Sequence, residues 1–181
     1  NGRRLVQVLQ PFGVSIRATD YFPDRKPEGL DELWDHSRLH ELAEWSDILI
    51  LTLPLNSSTR GVVDKSVFQA MPKGSYLINV ARGACVRETD LCEVLAAGHL
   101  AGAGLDVTEV EPLPNDSPLW GFPNVLITPH VGAQAALRTD DTTNLICENL
   151  RRYFAKANLY NIVDKSLGFP HPEVLYSVRN S

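Results

Sequence analysis

Four side chains that can bind ions or transfer protons stand at or directly after short apolar runs of this sequence: Asp20, Arg82, Asp106 and His130. Histidine has an ordinary pKa that lets it give and take a proton near neutral pH. An arginine followed by glycine can direct two N–H donors at one carboxylate. A carboxylate bonded to the histidine ring would fix its tautomer, and Glu111 is the candidate for this role. The set suits acid–base chemistry on an organic acid.

Asp20 stands where a dinucleotide-binding unit places the acid that hydrogen-bonds the adenosine ribose. It lies 18 residues after Gly2, at the end of a predicted strand. The same carboxylate would repel a 2′-phosphate, which favours NAD over NADP. Arg25 and Lys26 in the following loop leave NADP open, and a solvated loop aspartate is the alternative interpretation of Asp20.

The other members of the set also have structural interpretations. A lone arginine at a strand end is more often part of a surface ion pair, and a lone histidine is more often structural. Nothing in the local sequence directs Glu111 toward His130. The functional interpretation therefore requires that these side chains meet at one place. The remaining histidines are predicted to be surface residues: His36, His40, His99 and His171.

The elements that must position these residues alternate between helix and strand. Apolar periodicity predicts helices at 2–12, 39–45, 65–71, 88–97 and 134–157, and strands at 14–19, 47–53, 76–80, 102–106, 125–128 and 159–163. The remaining long segments are predicted to be a loop, 21–37, and a tail that is loose or docked elsewhere, 166–181. Short, nearly all-apolar strands are typical of a parallel sheet with helices on both faces. We therefore expect an α/β doubly wound sheet, which binds ligands at the carboxyl ends of its strands.

Composition excludes or disfavours several other classes. The chain has 181 residues, 44% of them hydrophobic and 22% charged, with a formal net charge of −5 and no basic run. This balance is typical of a globular chain and disfavours nucleic-acid and membrane-surface binding. No apolar stretch predicts a membrane span or a signal peptide, so we expect a cytoplasmic protein. Three cysteines at scattered positions predict neither a disulfide framework nor a metal site.

The segment from Asp47 to Ala133 resembles the D-isomer-specific 2-hydroxyacid dehydrogenases. The resemblance rests on a series of motifs in order: Thr52-Leu53-Pro54-Leu55, Thr59-Arg60-Gly61, Met71-Pro72-Lys73-Gly74, Asn79-Val80-Ala81-Arg82-Gly83, Gly104-Leu105-Asp106-Val107, Glu109-Val110-Glu111-Pro112-Leu113, Ser117-Pro118-Leu119-Trp120 and Thr128-Pro129-His130-Val131-Gly132. It continues weakly to Asp164 and does not cover the tail after Ser166.

The resemblance implies an activity and a set of site residues. Arg82, Glu111 and His130 match the family's catalytic residues, and Glu111 in place of glutamine argues against its formate dehydrogenase branch. His130 would protonate a carbonyl oxygen while NADH delivers a hydride to the carbon, and Arg82 would hold the substrate carboxylate. The implied cofactor-binding residues are Gly2, Asp20, Leu53, Pro54, Val80, Ala81, Arg82, Asp106, His130 and Gly132. Among these, Asp106 matches the acid near the carboxamide.

The start of the sequence departs from the family pattern. Gly2-Arg3-Arg4-Leu5 resembles the third glycine of G-x-G-x-x-G and the start of its helix. We therefore expect a Rossmann-type sheet that lacks its first strand, so that strands 14–19 and 76–80 lose a shared neighbour. We expect an NAD-binding domain at 1–132, and a long C-terminal helix and tail at 133–181 that return toward a substrate domain. By itself the chain is expected to be an inactive fragment, either a piece of a longer enzyme or a shortened gene product.

Two functions from different classes remain. The leading hypothesis is an NAD-dependent oxidoreductase that interconverts a small D-2-hydroxy acid and its 2-keto acid, and that forms a homodimer when full length. Intact Arg82, Glu111 and His130 favour it. The alternative is a non-catalytic nucleotide-sensing or interaction module on the same fold, because a fold alone does not fix function. The sequence leaves open which 2-keto acid is the substrate.

Overall fold

The computed structural model describes residues 1–132, 134 and 138–175 of the chain. The helices are α1 (Gly2–Leu9), α2 (Leu39–Trp45), α3 (Lys65–Ala70), α4 (Glu88–Ala96) and α5 (Arg138–Phe154). The strands are β1 (Arg17–Asp20), β2 (Glu32–Asp35), β3 (Ile48–Leu51), β4 (Tyr76–Asn79), β5 (Gly102–Leu105), β6 (Val125–Ile127), β7 (Val163–Asp164) and β8 (Phe169–Pro170). No helix in these described ranges is long and apolar enough to cross a membrane.

The central sheet is parallel and has four strands in the order β3-β4-β5-β6. Its register aligns Ile50, Ile78, Gly104 and Leu126 across the strands. β1 and β2 form a separate parallel pair, and β7 and β8 form an antiparallel pair. The predicted α/β class is therefore confirmed, and the carboxyl ends of β3 to β6 share one edge.

The hydrophobic core lies on one face of the central sheet. There, alternate strand residues such as Leu49, Leu77 and Leu105 pack against α2, α3 and α4. Phe68 of α3 and Leu77 of β4 are fully buried. Buried side chains on three successive helices explain why these elements form where the apolar periodicity predicts them.

The opposite face of the sheet exposes apolar side chains. Ile48, Tyr76 and Leu126 are 57%, 47% and 69% exposed. The expectation that helices cover both faces is therefore wrong at these positions. An apolar strand cannot specify by itself whether another element covers it, because folded proteins also expose much apolar surface.

The predicted loop at 21–37 contains a strand, β2, which sequence reasoning missed. β2 has only four residues, and two of them, Glu32 and Asp35, are acidic, so it lacks the apolar run that marks the other strands. It is stabilised by tertiary contacts instead. The Trp34 ring lies 5.4 Å from the guanidinium carbon of Arg17 and 4.0 Å from that of Arg38.

The missed strand also makes the expected strand order wrong. β4 does not lose a neighbour, because it pairs with β3 on one side and β5 on the other. Once β2 is counted, β3 follows the β1–β2 pair in chain order. The strands between which the expected first strand would lie are therefore β1 and β3, not β1 and β4.

Several element boundaries also differ from the predicted ones. β1 begins at Arg17 and not at Val14, and Phe12, expected on the apolar face of α1, is 76% exposed in a 3-10 turn. The helix predicted at 134–157 corresponds to α5, which is described from Arg138 onward, and residues 135–137 lie outside the described residues. The strand predicted at 159–163 is wrong, because only the two-residue β7 forms there.

Candidate active site

The predicted site residues lie at the carboxyl ends of the parallel strands. Arg82 follows β4, Asp106 follows β5 and His130 follows β6, so all three belong to one edge of the central sheet. Asp20 is the last residue of β1 in the separate pair. The structure therefore brings the residues with acid–base potential to one edge, as the alternating pattern predicts.

Asp106 organises the loop that carries His130. Its Oδ1 accepts from the hydroxyl of Thr128 at 2.6 Å and from the backbone N–H of Val131 at 2.9 Å, while Oδ2 accepts from the N–H of Gly132 at 2.7 Å. Burial raises the pKa of the Asp106 carboxyl, but the Thr128 hydroxyl, these two amides and the charge of His130 lower it below its ordinary value. Asp106 therefore stays ionised and holds the loop.

His130 and Glu111 are in direct contact. The ring Nδ1 of His130 lies 2.8 Å from Glu111 Oε2, and the backbone N–H of Thr108 donates to Glu111 Oε1 at 3.1 Å. Because an ionised carboxylate only accepts, the proton of this bond belongs to Nδ1. The side chains of His130 and Glu111 are 43% and 38% exposed. Nε2 of His130 is thus the ring nitrogen that does not bond to Glu111.

The backbone of His130 has an uncommon conformation, with φ at 54°. A non-glycine residue in this region requires support from its surroundings. The support comes from β5, because the His130 N–H donates to the backbone oxygen of Asp106 at 2.9 Å. The Asp106 backbone and side chain therefore hold both the residue and the loop after it.

Arg82 is exposed and lies beside a buried amide. Its Nη1 donates to the backbone oxygen of Ala81 at 2.6 Å. Asn79, only 1% exposed, accepts from the N–H of Ala81 at 3.0 Å and donates to the backbone oxygen of Arg82 at 3.2 Å. Sequence reasoning gave Asn79 no role of its own, although a polar residue at the end of an apolar strand is a signal for one.

Gly83 lets the Arg82 loop approach the loop that carries Glu111. A methyl group at Gly83 would overlap the backbone carbonyl of Thr108. Only a residue without a side chain permits this approach. In the described structure, however, Arg82 forms no hydrogen bond with His130 or Glu111.

The residues expected on the adenosine side lie near the start of α1. Gly2 begins α1, and a Cβ at this position would lie 3.2 Å from Thr52 Oγ1, so the helix start approaches the end of β3 closely. Asp20 is exposed, and its Oδ1 accepts from the N–H of Phe22 at 2.8 Å. The N-terminus of α1, which lies close to the end of β3, fits the pyrophosphate of a dinucleotide. The exposed carboxylate of Asp20 at the end of β1 fits its ribose.

The other predicted cofactor residues line the same edge. Leu53 and Pro54 follow β3, and the Pro54 carbonyl accepts from Thr59 Oγ1 at 2.7 Å. Val80 and Ala81 follow β4, where Ala81 is buried. These residues therefore lie at the carboxyl edge of the sheet because they follow its strands. Their role in cofactor binding stays a prediction.

Not every titratable residue belongs to this edge. His99, predicted to be a surface residue, is half-buried, and its Nε2 lies 2.8 Å from the Phe68 carbonyl and 3.0 Å from that of Met71. Cys85 is buried, and burial raises the pKa of its thiol. Across the described residues no group of three or more His, Cys, Asp or Glu side chains is arranged to hold a metal ion.

The parallel sheet and its strand-end residues define the class of protein: an α/β domain that binds NAD or NADP. The family model for the D-isomer specific 2-hydroxyacid dehydrogenase NAD-binding domain matches residues 1–132. The chain therefore belongs to the D-isomer specific 2-hydroxyacid dehydrogenase family, whose members are oxidoreductases.

Individual relatives agree with this assignment. A glyoxylate/hydroxypyruvate reductase A from Photorhabdus laumondii is 35% identical over 168 residues, which cover 93% of this chain and 53% of that protein. A D-isomer specific 2-hydroxyacid dehydrogenase from Xanthobacter autotrophicus, solved with NADPH and MES, is 38% identical with a TM-score of 0.82, over 91% of this chain and 51% of that one.

A third relative is a Sinorhizobium meliloti NADPH-dependent glyoxylate/hydroxypyruvate reductase, solved with NADP and sulfate. It is 31% identical with a TM-score of 0.83, over 93% of this chain and 54% of that one. The chain thus spans about half the length of the relatives it matches.

Proposed function

We propose that the whole protein is a reductase that interconverts a small 2-keto acid and the corresponding D-2-hydroxy acid with NADH. The observation that carries this proposal is the His130–Glu111 contact of 2.8 Å at the carboxyl edge of the sheet. Family membership supports it, and relatives named glyoxylate/hydroxypyruvate reductase favour a small substrate of that kind.

In this proposal each catalytic side chain has one task. The chemistry that NADH would supply at this edge is a hydride for the carbonyl carbon of the substrate. Protonated His130 donates a proton from Nε2 to the carbonyl oxygen, which completes the hydroxyl group. Glu111 keeps the ring oriented through its contact with Nδ1. Arg82 binds the substrate carboxylate and polarises the carbonyl through N–H donors other than the one that bonds to the Ala81 carbonyl.

We propose NAD rather than NADP as the cofactor, although two structural neighbours were solved with NADPH or NADP. The support is the exposed Asp20 carboxylate, which would bind ribose hydroxyls and repel a 2′-phosphate. The cations of the next loop are engaged elsewhere: Arg25 with Glu173, and Lys26 with the backbone oxygen of Asp31.

The organisation of the whole protein is also a proposal. We assign residues 1–132 to the cofactor domain and the segment from 133 onward to a return toward a substrate domain. Apolar side chains on α5 support this assignment, because Ile146, Leu150 and Tyr153 are 54%, 52% and 68% exposed and offer a surface for such a domain. A homodimer and a cytoplasmic location stay predictions.

The deciding experiment follows the absorbance of NADH during reaction with a panel of 2-keto acids. It compares the 181-residue chain with a form extended at its N-terminus by a complete G-x-G-x-x-G segment and a substrate domain of the family. We expect turnover in the extended form only. If NADH binds but no 2-keto acid is reduced by either form, the reductase proposal is wrong and a nucleotide-sensing module takes its place.

A further inference from the structure

The C-terminal segment from Val163 to Leu175, here called the tail segment, lies across the loop that follows β1. The Phe169 ring centre lies 5.9 Å from that of Tyr21 and 6.2 Å from that of Phe22, in edge-to-face geometry. The His171 ring lies 4.4 Å from that of Phe22. Aromatic contacts of this kind hold the tail segment against the loop.

A second contact fixes the tail segment to the loop after β3. Asn56 Nδ2 donates to the backbone oxygen of Leu167 at 2.6 Å, and a Cβ at Gly168 would lie 3.3 Å from the Asn56 side chain. The tail segment therefore bridges the loop that follows Asp20 and the loop that follows Leu53 and Pro54, and all three of these residues are implied to bind the cofactor. A residue of the tail segment can therefore influence which dinucleotide binds beside Asp20.

At its far end the tail segment carries Glu173, which pairs with Arg25. Glu173 Oε1 lies 2.9 Å from Arg25 Nη2. The Arg25 backbone oxygen also accepts from Arg3 Nη2, in the first turn of α1, at 2.9 Å. Arg25 thus contacts the first turn of α1. It lies five residues after Asp20, on the loop where an arginine can accommodate a 2′-phosphate.

We infer that Glu173 is a specificity-determining residue that favours NAD over NADP by occupying the Arg25 guanidinium. The inference rests on the proposed function, because it assumes a dinucleotide beside Asp20. Glu173 withdraws the one guanidinium of this loop from a 2′-phosphate, while the Asp20 carboxylate repels that phosphate directly. Both side chains of the ion pair are partly exposed, at 42% and 68%, so the expected effect is modest.

The test measures the dissociation constants of NADH and NADPH for the whole protein that carries this chain. Glu173→Gln keeps the shape of the side chain and removes its charge. We expect it to tighten NADPH binding about two- to fivefold and to leave NADH binding unchanged. In the Arg25→Gln background the same change is expected to have no effect, because no guanidinium is released.

Glu28→Gln is the matched control, since it removes one negative charge from an exposed residue of the same loop. An equal gain in NADPH binding in this control, or a gain by Glu173→Gln that persists without Arg25, would overturn the inference. Unchanged NADPH binding in Glu173→Gln would overturn it too. If the unaltered protein binds neither dinucleotide, the proposed function itself is wrong, and the inference is wrong with it.

Discussion

At the scale of the residue, the proposed chemistry depends on contacts between side chains that are distant in sequence. His130 and Glu111 are 19 positions apart, and their contact exists because two loops meet at the sheet edge. Asp106 then fixes the His130 loop through both of its carboxylate oxygens. The proposed acid–base residue is therefore held by groups that have no proposed part in proton transfer.

Replacing His130 with alanine tests its proposed role. In the whole protein we expect His130→Ala to lower turnover with the best 2-keto acid by about a hundredfold to ten-thousandfold, because it removes the proton donor. NADH binding is expected to change much less than turnover, because His130 is one of ten implied cofactor-binding residues. Steady-state kinetics and a binding titration measure the two effects separately.

His40→Ala is the matched control, because His40 is exposed and bonds to Ser66 Oγ on the helix side of the molecule. It should leave turnover unchanged. Unchanged turnover in His130→Ala would remove this histidine from the mechanism.

At the scale of the element, close approaches and helix ends fix where the loops lie. The Arg82 loop reaches the Thr108 loop only because Gly83 has no side chain. Asp64 caps the N-terminus of α3, and its carboxylate accepts from the N–H groups of Ser66 and Val67. The sequence predicts only one of these two features. An aspartate at position 64 indicates a helix start, but a glycine at position 83 does not show which segment packs against it.

A methyl group at position 83 should push the Arg82 loop away from the Thr108 loop. We expect Gly83→Ala to lower the free energy of unfolding by about 1–3 kcal/mol, because the methyl group would overlap the Thr108 carbonyl. Urea unfolding followed by circular dichroism measures the change. Gly121→Ala is the control, since a Cβ there meets no described atom within 4 Å. Equal stability of the two variants would contradict the close approach.

The Asp64 cap of α3 should make the free energy of unfolding depend on pH. The Ser66 hydroxyl, followed by the backbone N–H groups of Val67 and Ser66, holds the pKa of the Asp64 carboxyl below its ordinary value despite partial burial. A lowered pKa in the folded state stabilises the fold above the unfolded pKa and loses that effect as pH falls through the folded value.

We therefore expect Asp64→Ala to lower the free energy of unfolding by about 0.5–2 kcal/mol at neutral pH. The difference between Asp64→Ala and the unaltered chain should shrink once the pH falls below about 4. Urea unfolding curves at a series of pH values measure this difference. A difference that grows on acidification would show that the Asp64 charge does not stabilise the helix.

At the scale of the whole molecule, the chain exposes apolar surface on the uncovered face of its sheet. Ile48 and Tyr76 are neighbours across β3 and β4, and Leu126 lies on the same face through the register of β5 and β6. Exposed apolar surface of this extent is typical of an interface with another domain or chain. It agrees with the proposal that the chain is one part of a larger protein.

The 181-residue chain by itself should therefore bind the apolar dye ANS in its folded state. We expect the dye fluorescence to decrease in Leu126→Gln, because Leu126 is 69% exposed on this face. Val110→Gln is the control, an exposed apolar residue of a loop, and should change the fluorescence less. Equal fluorescence in both variants would show that the dye binds elsewhere.

The sequence by itself determined the α/β class, most helices and strands of the core, and the residues at each strand end. It did so because apolar periodicity and strand-end chemistry are local properties of the chain. β2 escaped prediction because its four residues carry two charges and depend on Arg17 and Arg38 around Trp34. Because β2 was not predicted, β4 instead of β3 was expected to lie beside the absent first strand.

Only the tertiary structure decided which of these residues meet. In the structure Glu111 contacts His130, and Asp106 holds the loop that carries this histidine. Glu173 pairs with Arg25, which is 148 positions away in the sequence. Side-chain partners so far apart depend on where loops and strands pack in space. That packing follows from the burial of the whole core, and no local pattern in the sequence records it.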